Sequence, residues 1–122
     1  MNFSIQGSRP IWQQLTEQLA RRIITGAYPL GSRFPAVREL AAEAGVNPNT
    51  MQRALAQLES EGLVVTNRTA GRTVTEDEGV LAHVRHELAN EKMEEYLEGM
   101  ATLGYTAAEA IALLQGKETQ HG

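Results

Sequence analysis

One segment limits the possible folds of this chain more than any other. Residues 46–62 read Val-Asn-Pro-Asn-Thr-Met-Gln-Arg-Ala-Leu-Ala-Gln-Leu-Glu-Ser-Glu-Gly. Asn47 suits an N-cap, because its side-chain oxygen can accept from a free amide of a first helical turn. Pro48 comes next, where its preset φ fits a helix and its missing N–H is no loss. A helix is therefore expected to start at Asn47. Met51, Ala54, Leu55 and Leu58 fall at i, i+3, i+4 and i+7 and make one apolar stripe, with Asn49, Gln52, Arg53 and Ala56 on the opposite side. That outer face is built to hydrogen-bond. Arg and Gln can pair bidentately with purine edges in a major groove, and a helix N-terminus attracts phosphate.

In isolation the same pattern would describe an ordinary amphipathic surface helix, and its neighbours decide between the two. Val37, Leu40, Ala41 and Ala44 form another short stripe ending at Gly45, so two short helices are joined by Gly45-Val46-Asn47, the tight connection of a helix-turn-helix. Downstream, Leu63-Val64-Val65-Thr66-Asn67 and Arg72-Thr73-Val74-Thr75 are β-rich runs joined by Arg68-Thr69-Ala70-Gly71, which predicts a hairpin with a basic tip. Upstream, Pro10 opens a helix in which Ile11, Leu15, Leu19 and Ile23 recur every four residues, flanked by Trp12 and closed at Gly26. Residues 26–35 hold two Gly and two Pro and read as a structured turn, with Arg33-Phe34 a third, very short strand for the hairpin. The fold expected is α+β, mostly α: a winged helix-turn-helix over residues 1–75, followed by a short C-terminal helical dimerisation region over residues 76–122.

These residues resemble a known family. Pro10-Ile11-Trp12-Gln13-Gln14-Leu15, the run from Gly26 to Pro35, Arg38-Glu39-Leu40-Ala41, the run from Val46 to Leu55 and Glu61-Gly62-Leu63-Val64 are together similar to the DNA-binding domain of GntR-family bacterial transcription regulators. The likeness spans residues 10–75 with its motifs in order, which makes it more specific than any lone motif. Asn-Pro-Asn-Thr in the recognition helix and the short C-terminal part resemble the YtrA subfamily, whose members dimerise through a short helical region and often control transporter operons. Two positions depart from the pattern. Ala36 stands where the family commonly has a Ser cap, and Arg72-Thr73 follow Gly71 where a second Gly is usual.

Composition excludes several classes. Cys is absent, so there is no disulfide framework, thiolate nucleophile or Cys-ligated metal. The N-terminus lacks a basic region followed by an apolar run, and no apolar stretch is long enough for a bilayer, so a cytoplasmic protein without membrane contact is expected. A net charge of −4 looks wrong for a partner of nucleic acid. The charge is unevenly divided, however: residues 1–75 carry 8 Arg against 5 acids, and residues 76–122 carry 3 basic residues against 10 acids. Phosphate would repel the acidic rear and attract the front.

After Thr75 the pattern is helical. Thr75-Glu76-Asp77-Glu78 reads as a capping box. Leu81, Val84 and Leu88 form one stripe, and Met93, Tyr96, Leu97 and Met100 form a second, out of phase, so a bend or a change of packing partner is expected around Asn90-Glu91-Lys92. Gly104 ends that helix. Thr106-Ala107-Ala108-Glu109 is a second capping box, opening a helix with Ala107, Ala110, Ile111 and Leu114 on one face, Gly116 as its stop and a frayed tail from Lys117. Apolar faces without a cover in their own chain predict a homodimer through Leu81, Val84, Leu88, Met93, Tyr96 and Leu97. So short a region cannot readily enclose a pocket, which places any small effector between subunits.

For chemistry, His83, His86 and Glu87 stand at metal-compatible helical spacing, but no further ligands or supporting shell accompany them. No nucleophile elbow, phosphate loop or paired carboxylates occur, so neither catalytic residues, metal nor cofactor is expected. The favoured function is regulation of transcription by a homodimer on palindromic double-stranded DNA, acting as a repressor. Gln52, Asn49 and Arg53 would face the groove, Arg38, Thr50 and Asn47 would set the backbone register, and Arg68 and Arg72 would work from the wing. The alternative is a winged-helix module that binds protein, since the fold alone assigns no function. An acidic or apolar recognition face would have favoured it.

Overall fold

A computed structural model describes residues 2–121, with the side chains of residues 118–121 outside the description. Five helices and one hairpin follow in the order α1 (Ile11–Ile24), α2 (Val37–Ala44), α3 (Pro48–Ser60), β1 (Val64–Asn67), β2 (Gly71–Val74), α4 (Glu78–Ala101) and α5 (Ala107–His121). The chain divides into two compact units, Met1–Arg85 and His86–Gly122. The division falls inside α4, ten residues beyond Thr75.

In the first unit α3 packs against α1 and α2 and leads into β1. The expected apolar stripe is the reason: Met51, Ala54, Leu55 and Leu58 have no exposed surface, and Leu15, Leu19, Ile23, Leu40 and Leu63 join them in the core. Ile11, expected in the α1 stripe, is instead 43% exposed, because it is the first residue of the helix and burial begins one turn on, at Gln14, Leu15 and Thr16. Between α2 and α3 the turn is made at Gly45, whose φ of +70° an L side chain rarely adopts. Val46 N–H then donates to the Ala41 carbonyl at 3.0 Å and closes the helix end.

The wing is an antiparallel pair in which Val64 faces Val74 and Thr66 faces Arg72. Its loop is the three residues Arg68, Thr69 and Ala70. Asn67 Oδ1 accepts from Ala70 N–H at 2.7 Å, and Gly71 completes the turn at φ +72°. The third strand expected at Arg33-Phe34 is a single bridge, Arg33 to Thr73, held by Phe34 N–H on the Arg72 carbonyl and Val74 N–H on the Ser32 carbonyl.

Two expectations for the rear require correction, at the start of α4 and at the end of α5. The cap of α4 is Asp77, not Thr75: Asp77 Oδ1 accepts from Gly79 and Val80 N–H at 2.9 and 3.3 Å. Thr75 is buried and continues the strand edge, its N–H on the Leu63 carbonyl, so its hydroxyl can reach only Asp77 N–H. Helix α4 runs unbroken through Asn90, Glu91 and Lys92, where side-chain contacts from Asn90 to Glu94 and from Lys92 to Glu95 span successive turns. Of the two alternatives expected there, a change of packing partner is met within this one helix, since Leu81 and Val84 belong to the first unit and Met93, Tyr96 and Leu97 line a groove with α5. Helix α5 does not stop at Gly116 but continues to His121, through a glycine whose backbone stays helical. Gly122 lies outside the described residues. The second capping box is present in full, Thr106 N–H donating to Glu109 Oε1 at 2.9 Å and Glu109 N–H to Thr106 Oγ1 at 3.2 Å. Among the described residues no helix is long and apolar enough to cross a membrane.

Candidate nucleic-acid interface

Burial of one side of α3 leaves the other uncovered. Asn49, Gln52, Arg53 and Ala56 are exposed, and Thr50 is half-buried. The Asn47 side chain caps the helix, its Oδ1 accepting from Asn49 N–H at 2.7 Å, so this oxygen is already engaged. Arg38 is exposed in the first turn of α2, and Arg68 is exposed at the tip of the wing. Ala36 is the α2 N-cap and makes no side-chain capping bond. Arg33, Arg72, Gly71 and the start of α2 border a groove of about 560 Å³, into which Glu39 also faces.

Two of the expected arginines are tied to other side chains. The guanidinium of Arg53 lies over the ring of Trp12 in α1, its Cζ 4.3 Å from the ring centroid. Arg72 Nε donates to Glu59 Oε1 at 2.6 Å, and the same oxygen accepts from Thr66 Oγ1 at 2.6 Å. Thr66 and Arg72 are direct cross-strand partners, so one carboxylate from the last turn of α3 latches both strands of the wing. The Thr66 hydroxyl first, and then Arg72, holds the Glu59 carboxyl below its ordinary range.

Sequence reasoning did not find this latch, nor the cluster around Arg22. Arg22 donates to the Tyr28 hydroxyl at 2.7 Å and pairs with Glu43 of α2 at 2.9 Å, and its Cζ lies 4.0 Å from the centre of the Phe3 ring. The N-terminal segment is fastened beside it by Gln18 on Ser4 and Gln14 on Gln6 and Arg9. Gln14 and Gln18 stand four apart among apolar neighbours, and that spacing is the one signal in the sequence that something polar lies across this helix.

In the second unit, Met93, Tyr96 and Leu97 of α4 and Ile111 and Leu114 of α5 line an apolar groove of about 420 Å³ edged by Lys92. The Tyr96 hydroxyl donates to the Ala110 carbonyl at 2.7 Å and joins the two helices. Met93, Ile111 and Leu114 remain about half exposed. Leu88 is half-buried. In the first unit Leu81 is half-buried, and Val84 is buried within its own chain, so it offers little to a partner. Among the described residues no three His, Asp or Glu side chains stand close enough to hold a metal.

Comparison with known proteins agrees with this arrangement. The profile of the bacterial regulatory proteins of the gntR family matches residues 12–74, from Trp12 to the end of the wing. The chain belongs to the GntR family. It is 33% identical over 119 residues to the uncharacterized HTH-type transcriptional regulator YhcF of Bacillus subtilis, covering 98% of this chain and 96% of that one. It is also 33% identical over 89 residues to the HTH-type transcriptional repressor YtrA of the same organism, covering 68% of each. Among solved structures, a GntR family transcriptional regulator from Listeria monocytogenes superposes with a TM-score of 0.79 at 33% identity, over 92% of this chain and 98% of that one. The two-stranded wing and the helix-turn-helix are thus those of a GntR regulator, and its YtrA-like relatives are of similar length.

Proposed function

We propose that the protein binds double-stranded DNA sequence-specifically in the cytoplasm, as a homodimer on a palindromic operator, and represses transcription there. The uncovered outer face of α3 carries this reading: Asn49 and Gln52 are exposed on a helix whose opposite face is fully buried, so the helix can enter a major groove without disturbing the core. Gln52, Asn49 and Arg53 face the base edges. Arg38, Thr50 and the Asn47 backbone set the register, Arg68 reaches the duplex from the wing, and Arg72 stiffens that wing through Glu59. Residues 1–75 read DNA and residues 76–122 pair the subunits.

The half-exposed apolar groove of the second unit supports pairing through Met93, Tyr96 and Leu97, with Leu88 beside it and any small effector held between subunits. Repression is supported by the YtrA relative, a transcriptional repressor. The test is titration of the promoter of the protein's own operon, at stated salt, against an unrelated duplex of equal length. A specific ratio of about a thousandfold or more is expected. Equal affinity for both duplexes would contradict the reading.

A further inference from the structure

We infer that Trp12 is a positioning residue for DNA reading: the indole on α1 sets the place of the Arg53 guanidinium on the recognition helix. The inference rests on the function proposed above. Arg53 is exposed at the outer face of α3 and would, if unconstrained, sample many rotamers. Its Cζ instead lies 4.3 Å from the centre of the Trp12 ring. A guanidinium whose carbon sits over an indole gives one side to the ring and keeps N–H donors that point away from it, and those donors are what pair with a phosphate or a purine edge. The indole holds the arginine and the arginine holds DNA, in different directions and at the same time. An arginine ordered before the encounter loses less conformational freedom on binding.

Trp12 is itself half-buried at the start of α1, a helix fixed on α3 by the shared core. The platform is therefore as rigid as the domain. Lysine at position 53 would keep the charge but has neither the flat face for the indole nor the fork for the duplex.

Trp12 is the single tryptophan of the chain, so its fluorescence reports the stack directly. In the free protein, Arg53→Ala should uncover the ring and raise acrylamide quenching. Quenching unchanged from the parent would overturn the stack. The stronger test is a cycle on the own-operon promoter duplex. Arg53→Ala is expected to weaken binding about tenfold, and Trp12→Leu about fivefold. In the Arg53→Ala background Trp12→Leu should then cost almost nothing further. Trp12→Phe, which keeps an aromatic face, should retain most of the affinity, and melting curves of each variant should report a folded domain. Additive losses would overturn the inference, because a tryptophan that merely packs would matter equally with Arg53 gone. A parent that grips no duplex would overturn the proposed function together with this inference, whereas a binding parent with additive losses would overturn the inference alone.

Discussion

In Met1–Arg85 the fully buried side chains come from every helix of the helix-turn-helix and both strands: Leu15 and Leu19 of α1, Leu40 of α2, Met51 and Leu55 of α3, Val64 and Val74 of the wing. In His86–Gly122 the buried side chain among the described residues is Ala110, while Met93, Leu103, Ile111 and Leu114 stay open. Both units are helical and both have apolar stripes at helical spacing. What separates them is the number of faces available to close a core. Three helices and a hairpin enclose an interior, whereas two helices can share only one seam and leave their outer sides uncovered. The charge divides in the same sense, with the arginines concentrated before Thr75 and the acids after it.

Truncating one leucine in each unit would break this comparison if the losses were equal. Leu55→Ala leaves a cavity in the core of the first unit and should cost about 2–5 kcal/mol of unfolding free energy. Leu114→Ala, half exposed, should stay within about 0.5 kcal/mol at low protein concentration. Urea unfolding of the two variants checks this contrast.

A charge in the open seam sharpens the same comparison. Ile111→Glu would desolvate a carboxylate wherever that face is covered by a second subunit. The palindromic operator should then be bound about a hundredfold more weakly, with half-site affinity hardly changed, because the tether to the second reader is lost. Sedimentation and titrations on full and half sites measure both quantities. A dimeric variant with full affinity would place the interface away from this groove.

Within the first unit the expected effects are smaller. Ala36→Ser adds a hydroxyl cap to α2 and should raise stability by about 1 kcal/mol, read as a higher melting temperature. Glu59→Gln removes a partly exposed ion pair and should cost about 0.5 kcal/mol near neutral pH. Its pH dependence has a definite sign. Because the folded state holds the Glu59 carboxyl below the ordinary value of 4.5, its contribution is complete above that value and is lost as pH falls through the lower folded one. The parent and Glu59→Gln should therefore converge in stability toward acid, and a gap that stayed constant would dissociate the latch from the carboxylate.

Much of this molecule was legible in advance, for local reasons. Asn47-Pro48 and Gly45 are terminus signals that act within one turn, and the stripe from Met51 to Leu58 has only one way to be buried. The rear was less legible because its signals compete. Thr75 looked like a cap, but the strand ladder claimed it and Asp77 took the role. Gly116 looked like a stop, but nothing beyond it demanded a turn, and a helical glycine costs only about 1 kcal/mol. Long-range side-chain partners were least legible of all. Glu59 with Thr66 and Arg72, and Arg53 with Trp12, are joined across folds of the chain that no periodicity encodes.

The exposed face of α3 as the reader of DNA is tested most directly by one comparison of affinities. Parent, Gln52→Ala and Arg38→Ala are titrated against the operator, single-base variants of it and an unrelated duplex over a range of salt. Gln52→Ala should lose about 1–3 kcal/mol of discrimination at one base position and keep its non-specific affinity. Arg38→Ala should weaken every duplex alike and lower the salt slope by about one. Parent-like binding and discrimination by both variants would contradict the assignment of this face.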